Sequence, residues 1–137
     1  RKMSKSYGNT IGLREDPDAV AAKLKTMQTD PARARRTDPG DPAKCPVWDL
    51  HKLYSSTETL QWVDRGCRSA GIGCLECKKP LIERVVEEVT GMRQRAQEYE
   101  DNPDLVRGII AEGCEKAREV AGQTLDDVKQ AIGLVYR

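Results

Sequence analysis

Residues 80–100 read PLIERVVEEVTGMRQRAQEYE, and this stretch decides the fold class. Leu81, Val85, Val89, Met92, Ala96 and Tyr99 recur at steps of three and four. Side chains so spaced share one stripe of a helix, which is expected to run from about Pro80 to Glu100. A strand would need alternation with a period of two, and no segment of the chain keeps one. Upstream, a first helix is expected to start near Asp16-Pro17, because proline suits a first helical turn. Val20, Leu24 and Met27 mark its apolar side. Pro46 opens a short helix with Val47, Leu50 and Leu53 or Tyr54. Ser56 or Thr57 then caps another, in which Leu60, Val63 and Cys67 share a face. Downstream, Asn102-Pro103 restarts a helix carrying Val106, Ile110, Cys114, Ala117 and Ala121. Thr124 is expected to cap a last one with Leu125, Val128, Ile132 and Val135. The expected fold is all-α, a helical bundle whose apolar stripes face one another.

The intervening segments divide the chain. Residues 1–14, rich in Lys, Ser, Gly and Asn, read as a mobile, poorly ordered loop. Residues 15–44 read as a connecting helix and a basic linker; Pro31, Pro39, Gly40 and Pro42 make that linker the expected hinge. Residues 45–137 then form the helical domain. With 137 residues, no Phe, two Trp and four Tyr, the core must rest on aliphatic side chains. The net charge of +1 hides an asymmetry: residues 1–52 carry 11 Lys/Arg against 7 Asp/Glu, and the remainder 12 against 15. A basic first half can meet phosphate, whereas the acidic remainder reads as solvated helix faces. No apolar run approaches a membrane span and no secretory segment is evident, so no membrane role and a soluble, cytoplasmic protein are expected. A start at Arg1 in place of Met reads as a fragment.

Cys45, Cys67, Cys74 and Cys77 form the pattern C-x21-C-x6-C-x2-C. Thiolates are soft ligands, and four of them suit structural zinc or an iron–sulfur cluster. Zinc folds usually present two paired knuckles, which a single C-x2-C with two lone cysteines does not supply. Lys44, Arg68, Lys78 and Lys79, next to the ligand positions, would offset thiolate charge. The bland alternative is four packed thiols. Cys114, in the middle of an apolar stripe, reads as a packed free thiol. With five cysteines in all, a closed disulfide framework is disfavoured. Arg33, Arg35 and Arg36 form a basic cluster that could contact RNA backbone or simply be solvated. His51 reads as a surface or packing residue.

Lys2-Met3-Ser4-Lys5-Ser6, continued by Tyr7-Gly8-Asn9, sets two lysines three apart on a serine-rich, glycine-flanked loop. Two such ammonium groups can meet charge that develops on a polyphosphate. This stretch resembles the second signature of the class I aminoacyl-tRNA synthetases. The helix over Asp16–Met27, Thr29-Asp30, Gly71-Ile72-Gly73, the segment Ala111 to Arg118 and the closing Val128 to Leu134 resemble the tryptophan members, so the resemblance covers nearly the whole chain. It implies a C-terminal part of a tryptophan–tRNA ligase, beginning at the lysine loop. Lys2, Met3, Ser4, Lys5 and Ser6 would bind ATP, with Lys2 and Lys5 catalytic at its phosphates. The helical domain would bind the anticodon end of tRNA(Trp), and the full enzyme would be a homodimer using tryptophan, ATP and tRNA.

Some bacterial members carry a 4Fe-4S cluster on a distant cysteine followed by C-x6-C-x2-C. Cys45, Cys67, Cys74 and Cys77 match it, with the first gap one residue shorter than the family's. The dinucleotide-fold core and its His-containing signature are not found in these residues, so the isolated chain is expected to be inactive. Other readings are a tyrosine enzyme, a stand-alone zinc- or cluster-binding RNA adaptor, and a redox sensor using Cys74 and Cys77.

Overall fold

The computed structural model describes residues 3–134. Helices alone make up its regular structure among those residues: α1 Pro17–Thr26, α2 Pro46–Tyr54, α3 Thr57–Arg68, α4 Cys74–Asp101 and α5 Pro103–Ala131, with short 3-10 turns at Lys5–Tyr7 and Pro42–Lys44. The all-α expectation holds. The chain divides into two compact units, residues 1–95 and 96–137.

Local chemistry sets most helix starts. The Asp16 carboxylate accepts from the Asp18 amide at 3.0 Å, ahead of Pro17. Ser56 caps α3 through the Thr59 amide at 3.3 Å. Asn102 does the same for α5 through the Leu105 amide at 3.3 Å, ahead of Pro103.

Two boundaries differ from expectation. α4 starts at Cys74, so Pro80 lies inside it instead of opening it. The earlier start is fixed by Gly73, whose amide donates to the Glu76 carboxylate at 3.2 Å and whose carbonyl accepts from Cys77. Proline at position 80 deprives only the Glu76 carbonyl of its helical donor. Nor does Thr124 begin a new helix: its hydroxyl donates to the Val120 carbonyl at 3.1 Å, within an unbroken α5.

In the first unit the core is aliphatic, as composition demands. Val20 and Leu24 of α1, Val47 of α2, and Leu81, Val85 and Val89 of α4 are buried against one another. Each such side chain contributes roughly 1.5–3 kcal/mol by leaving water. Gly66 of α3 allows Ile72 to close over the helix: a Cβ there would stand 2.9 Å from two Ile72 carbons.

The segment over residues 29–44, read as a hinge, is tied down. Asp30 is buried and accepts from the amides of Ala32 and Asp41 at 3.0 and 2.8 Å. Gly40 donates its amide to the Cys67 carbonyl at 2.9 Å. In the second unit no residue of α5 is buried, and Ile109, Ile110, Val120, Leu125, Val128 and Ile132 are exposed. Cys114 is exposed as well, which corrects its reading as a packed thiol. Among the described residues, none on its stripe is buried. Val135 lies outside the described residues.

Candidate nucleotide loop and cysteine site

Lys5, Ser6 and Tyr7 form a single 3-10 turn ended by Gly8. The Ser4 amide donates to the Asn9 side-chain oxygen at 2.7 Å and closes the loop across its base. The Ser4 and Ser6 hydroxyls lie 2.7 Å apart. Met3, Lys5 and Ser6 are exposed and Ser4 is half-buried. The turn therefore presents an ammonium group and two hydroxyls to solvent on a short, internally bonded frame. Lys2 and Arg1 lie outside the described residues.

The loop joins α1 through a second set of bonds. Lys23, on α1, donates to the Thr10 carbonyl at 2.7 Å and pairs with Glu15. Glu15 also accepts from the Gly12 amide at 2.9 Å. The Lys23 bond, then the Gly12 amide, hold the Glu15 carboxyl below the usual range. At the N-terminus of α1, Arg93 of α4 reaches Asp16 at 3.2 Å.

At the other end of α1 stands Lys78, only 3 % exposed. Its ammonium donates to the carbonyls of Lys25 (2.8 Å) and Met27. These lie where a helix leaves carbonyls without internal donors and where its dipole favours a cation. The side chain before it in sequence belongs to Cys77, so one turn of α4 serves both the cysteine site and the helix that follows the lysine loop.

Cys45 immediately precedes α2, Cys67 lies in the last turn of α3, and Cys74 and Cys77 lie in the first turn of α4. Burial pushes the Cys77 thiol up to about 12, and the sulfurs of Cys45, Cys67 and Cys74 push it the same way. Burial likewise raises Cys67; there Arg33 opposes the shift while Cys45 and Cys74 reinforce it. Sulfurs that feel one another in this way share one locality, between the start of α2, the end of α3 and the first turn of α4. With their pKa raised, the bare Cys67 and Cys77 thiols keep their protons near neutral pH, and a metal must displace them. Among the described residues no group of three or more His, Cys, Asp or Glu side chains is drawn together as ligands of a metal ion. Four half-buried thiols with no disulfide between them are donors of the soft type.

Sequence reasoning missed what surrounds the sulfurs. His51 is fully buried, with Nε2 3.5 Å from the Cys77 sulfur and Nδ1 2.7 Å from the Ser55 hydroxyl. Burial lowers its pKa, which keeps the ring neutral. Its place six residues after Cys45, in one short helix, was the available signal. Arg33 corrects an expectation. Grouped with Arg35 and Arg36 as an RNA contact, it is instead buried, donating to the Ile72 and Arg36 carbonyls at 2.6 and 2.9 Å. Its Nη1 lies 4.0 Å from the Cys67 sulfur. Arg35 and Arg36 remain exposed, Arg36 reaching Glu76 at 3.8 Å. Gly40 lets the loop lie against this cluster, because a Cβ there would stand 2.6 Å from the Cys67 sulfur and 3.2 Å from Arg33 Cδ.

Among the described residues no helix is long and apolar enough to cross a membrane. Residues 1–90 match the family described as tRNA synthetases class I (W and Y). The chain is 59 % identical over 136 residues to a tryptophan–tRNA ligase of Ralstonia nicotianae, covering 99 % of this chain and 34 % of that protein. It is 48 % identical to a tryptophan–tRNA ligase of Deinococcus radiodurans, covering 98 % of this chain and 41 % of that protein. The crystal structure of tryptophanyl-tRNA synthetase from Campylobacter jejuni superposes with a TM-score of 0.77 at 26 % identity, over 96 % of this chain and 42 % of that one. The chain thus spans about a third to two fifths of the length of these relatives. The likeness runs from the lysine loop through the cysteine site to the second unit, and the chain belongs to the class I tRNA synthetase family of the tryptophan and tyrosine enzymes.

Proposed function

We propose that these residues are the nucleotide-loop and helical portion of a tryptophan–tRNA ligase. The observation that carries this reading is end-to-end similarity, 59 % identity over 136 residues, to a protein so named. In that enzyme the tryptophan carboxylate attacks the α-phosphorus of ATP, an acyl–phosphate bond forms and pyrophosphate leaves. Negative charge grows on the departing oxygen. Lys5, with Lys2, would stabilise it, and Ser4, Ser6 and the Met3 backbone would line the phosphates. Such a contact helps most when it is strongest in the transition state. The adenylate then passes its tryptophanyl group to the tRNA terminus. The helical surface, with Arg35 and Arg36 exposed beside it, would meet the anticodon end of tRNA(Trp) through its phosphates. The full protein would act as a homodimer.

Cys45, Cys67, Cys74 and Cys77 would hold a 4Fe-4S cluster. A tetrahedral zinc with Zn–S bonds near 2.3 Å needs four sulfurs within about 3.8 Å of one another. The single C-x2-C with two lone cysteines suits four thiolates on an iron–sulfur cluster better than the paired knuckles usual for zinc. When bound, the cluster would pin the ends of α2, α3 and α4 together; its role is structural, since ligation of tryptophan to tRNA needs no electron transfer.

The test is tryptophan-dependent exchange of labelled pyrophosphate into ATP by the full-length protein. The wild type exchanges with tryptophan and not with tyrosine, and Lys5→Ala lowers kcat by about 100-fold. Exchange supported by tyrosine, or unchanged in Lys5→Ala, would sink the reading. Residues 1–137 alone are expected to show no exchange.

A further inference from the structure

Arg33 is a buried cation whose charge the described protein does not settle. Only 8 % of it is exposed. One Nη serves two carbonyls, the other faces the Cys67 sulfur, and Nε is buried with no hydrogen-bond partner. Among the described residues no carboxylate lies within ion-pair distance of it; Asp30, which feels its charge, is committed to two backbone amides. A buried, unpaired guanidinium with an orphaned N–H costs several kcal/mol. Such a cost is tolerated where a bound group brings the missing anion and acceptor. Four thiolates around a soft metal centre carry net negative charge, and their sulfurs accept N–H donors.

We propose that Arg33 is the internal counter-cation and N–H···S donor of the cysteine site, held in place to stabilise an anionic iron–sulfur centre on Cys45, Cys67, Cys74 and Cys77. This rests on the cluster reading above. It assigns Arg33 a role unlike that of its sequence neighbours: Arg35 and Arg36 face solvent, whereas Arg33 faces sulfur. Gly40 belongs to the same arrangement, since its missing side chain is what lets Arg33 and Cys67 meet. A positive group beside the centre favours its reduced, more negative form, so removing it must lower the reduction potential.

The experiment uses the full-length protein purified and reconstituted without oxygen, as wild type, Arg33→Met, Arg33→Lys and, as an exposed control, Arg84→Met. Iron, acid-labile sulfide, the rate of bleaching of the visible absorbance in air, and the midpoint potential by redox titration are read on each. Wild type and control should hold about four irons and four sulfides, with Arg33→Met bleaching about five-fold faster and its midpoint shifted to more negative values. Helix content by circular dichroism separates this from unfolding. Should Arg33→Met fail to fold, Arg33→Lys carries the test: it keeps the charge but gives up the N–H group facing sulfur, so its cluster must still bleach faster while its midpoint moves less. Wild-type bleaching and midpoint in folded Arg33 variants would overturn the proposal and leave the cluster. A wild type without iron and sulfide would overturn the cluster reading, and this role with it.

Discussion

Replacing Lys78 by Met should loosen the end of α1 far more than its position at the start of another helix suggests. The ammonium is 3 % exposed and donates to the Lys25 and Met27 carbonyls. A hydrogen bond from a charged donor is worth roughly 1.5–3 kcal/mol, so the two together offer about 3–6 kcal/mol. Methionine nearly keeps the volume and recovers the desolvation penalty of the buried charge, which offsets about half of that. A net loss of about 2 kcal/mol is expected. In urea, with a slope of about 2 kcal/mol/M, the midpoint should fall by about 1 M. The assay is urea unfolding followed by circular dichroism under reductant and chelator, so that no metal contributes. Lys79→Met, one residue on and exposed, should change stability by less than about 0.5 kcal/mol. A Lys78→Met loss equally small would refute the reasoning: the two carbonyls would then be served as well by water.

Gly40→Ala should place a Cβ against the Cys67 sulfur, costing about 1–3 kcal/mol by overpacking and lowering the iron retained after reconstitution; thermal melts and metal analysis check both. Ala70, at the end of α3, sits at φ 56 in the left-handed region, so Ala70→Gly should stabilise the protein by about 0.5–1 kcal/mol in urea unfolding. The Asp41 amide, then that of Ala32, hold the Asp30 carboxyl below its ordinary range. A lowered folded pKa stabilises above the unfolded value and is lost as pH falls through the folded one. Asp30→Asn should therefore differ most from wild type near neutral pH, and the difference should shrink below about pH 4 in urea titrations at several pH values.

The sequence was most informative where structure is local. Asp16-Pro17, Ser56 and Asn102-Pro103 start helices with their own side chains, and a few adjacent residues suffice to reveal each. The spacing of Leu81, Val85 and Val89 gave the buried face of α4 for the same reason. Pro80 misled because the start of α4 depends on Gly73 and Glu76, a weaker signal than proline. Arg33 could not be told from Arg35 and Arg36, since the carbonyl it meets belongs to Ile72, 39 residues on. His51 and Cys77 lie 26 residues apart, and Lys78 reaches back 53 to Lys25. The cysteine spacing is legible in the sequence; the buried cations and imidazole beside those cysteines are consequences of tertiary packing.

Charging of tRNA by the full-length protein, with labelled tryptophan and labelled tyrosine offered in parallel, decides whether these residues serve a tryptophan–tRNA ligase. ATP-dependent transfer of tryptophan to tRNA(Trp), abolished or nearly so by Lys5→Ala, is expected, and no transfer of tyrosine. Charging with tyrosine, or no ATP-dependent charging by a folded full-length protein, would contradict it.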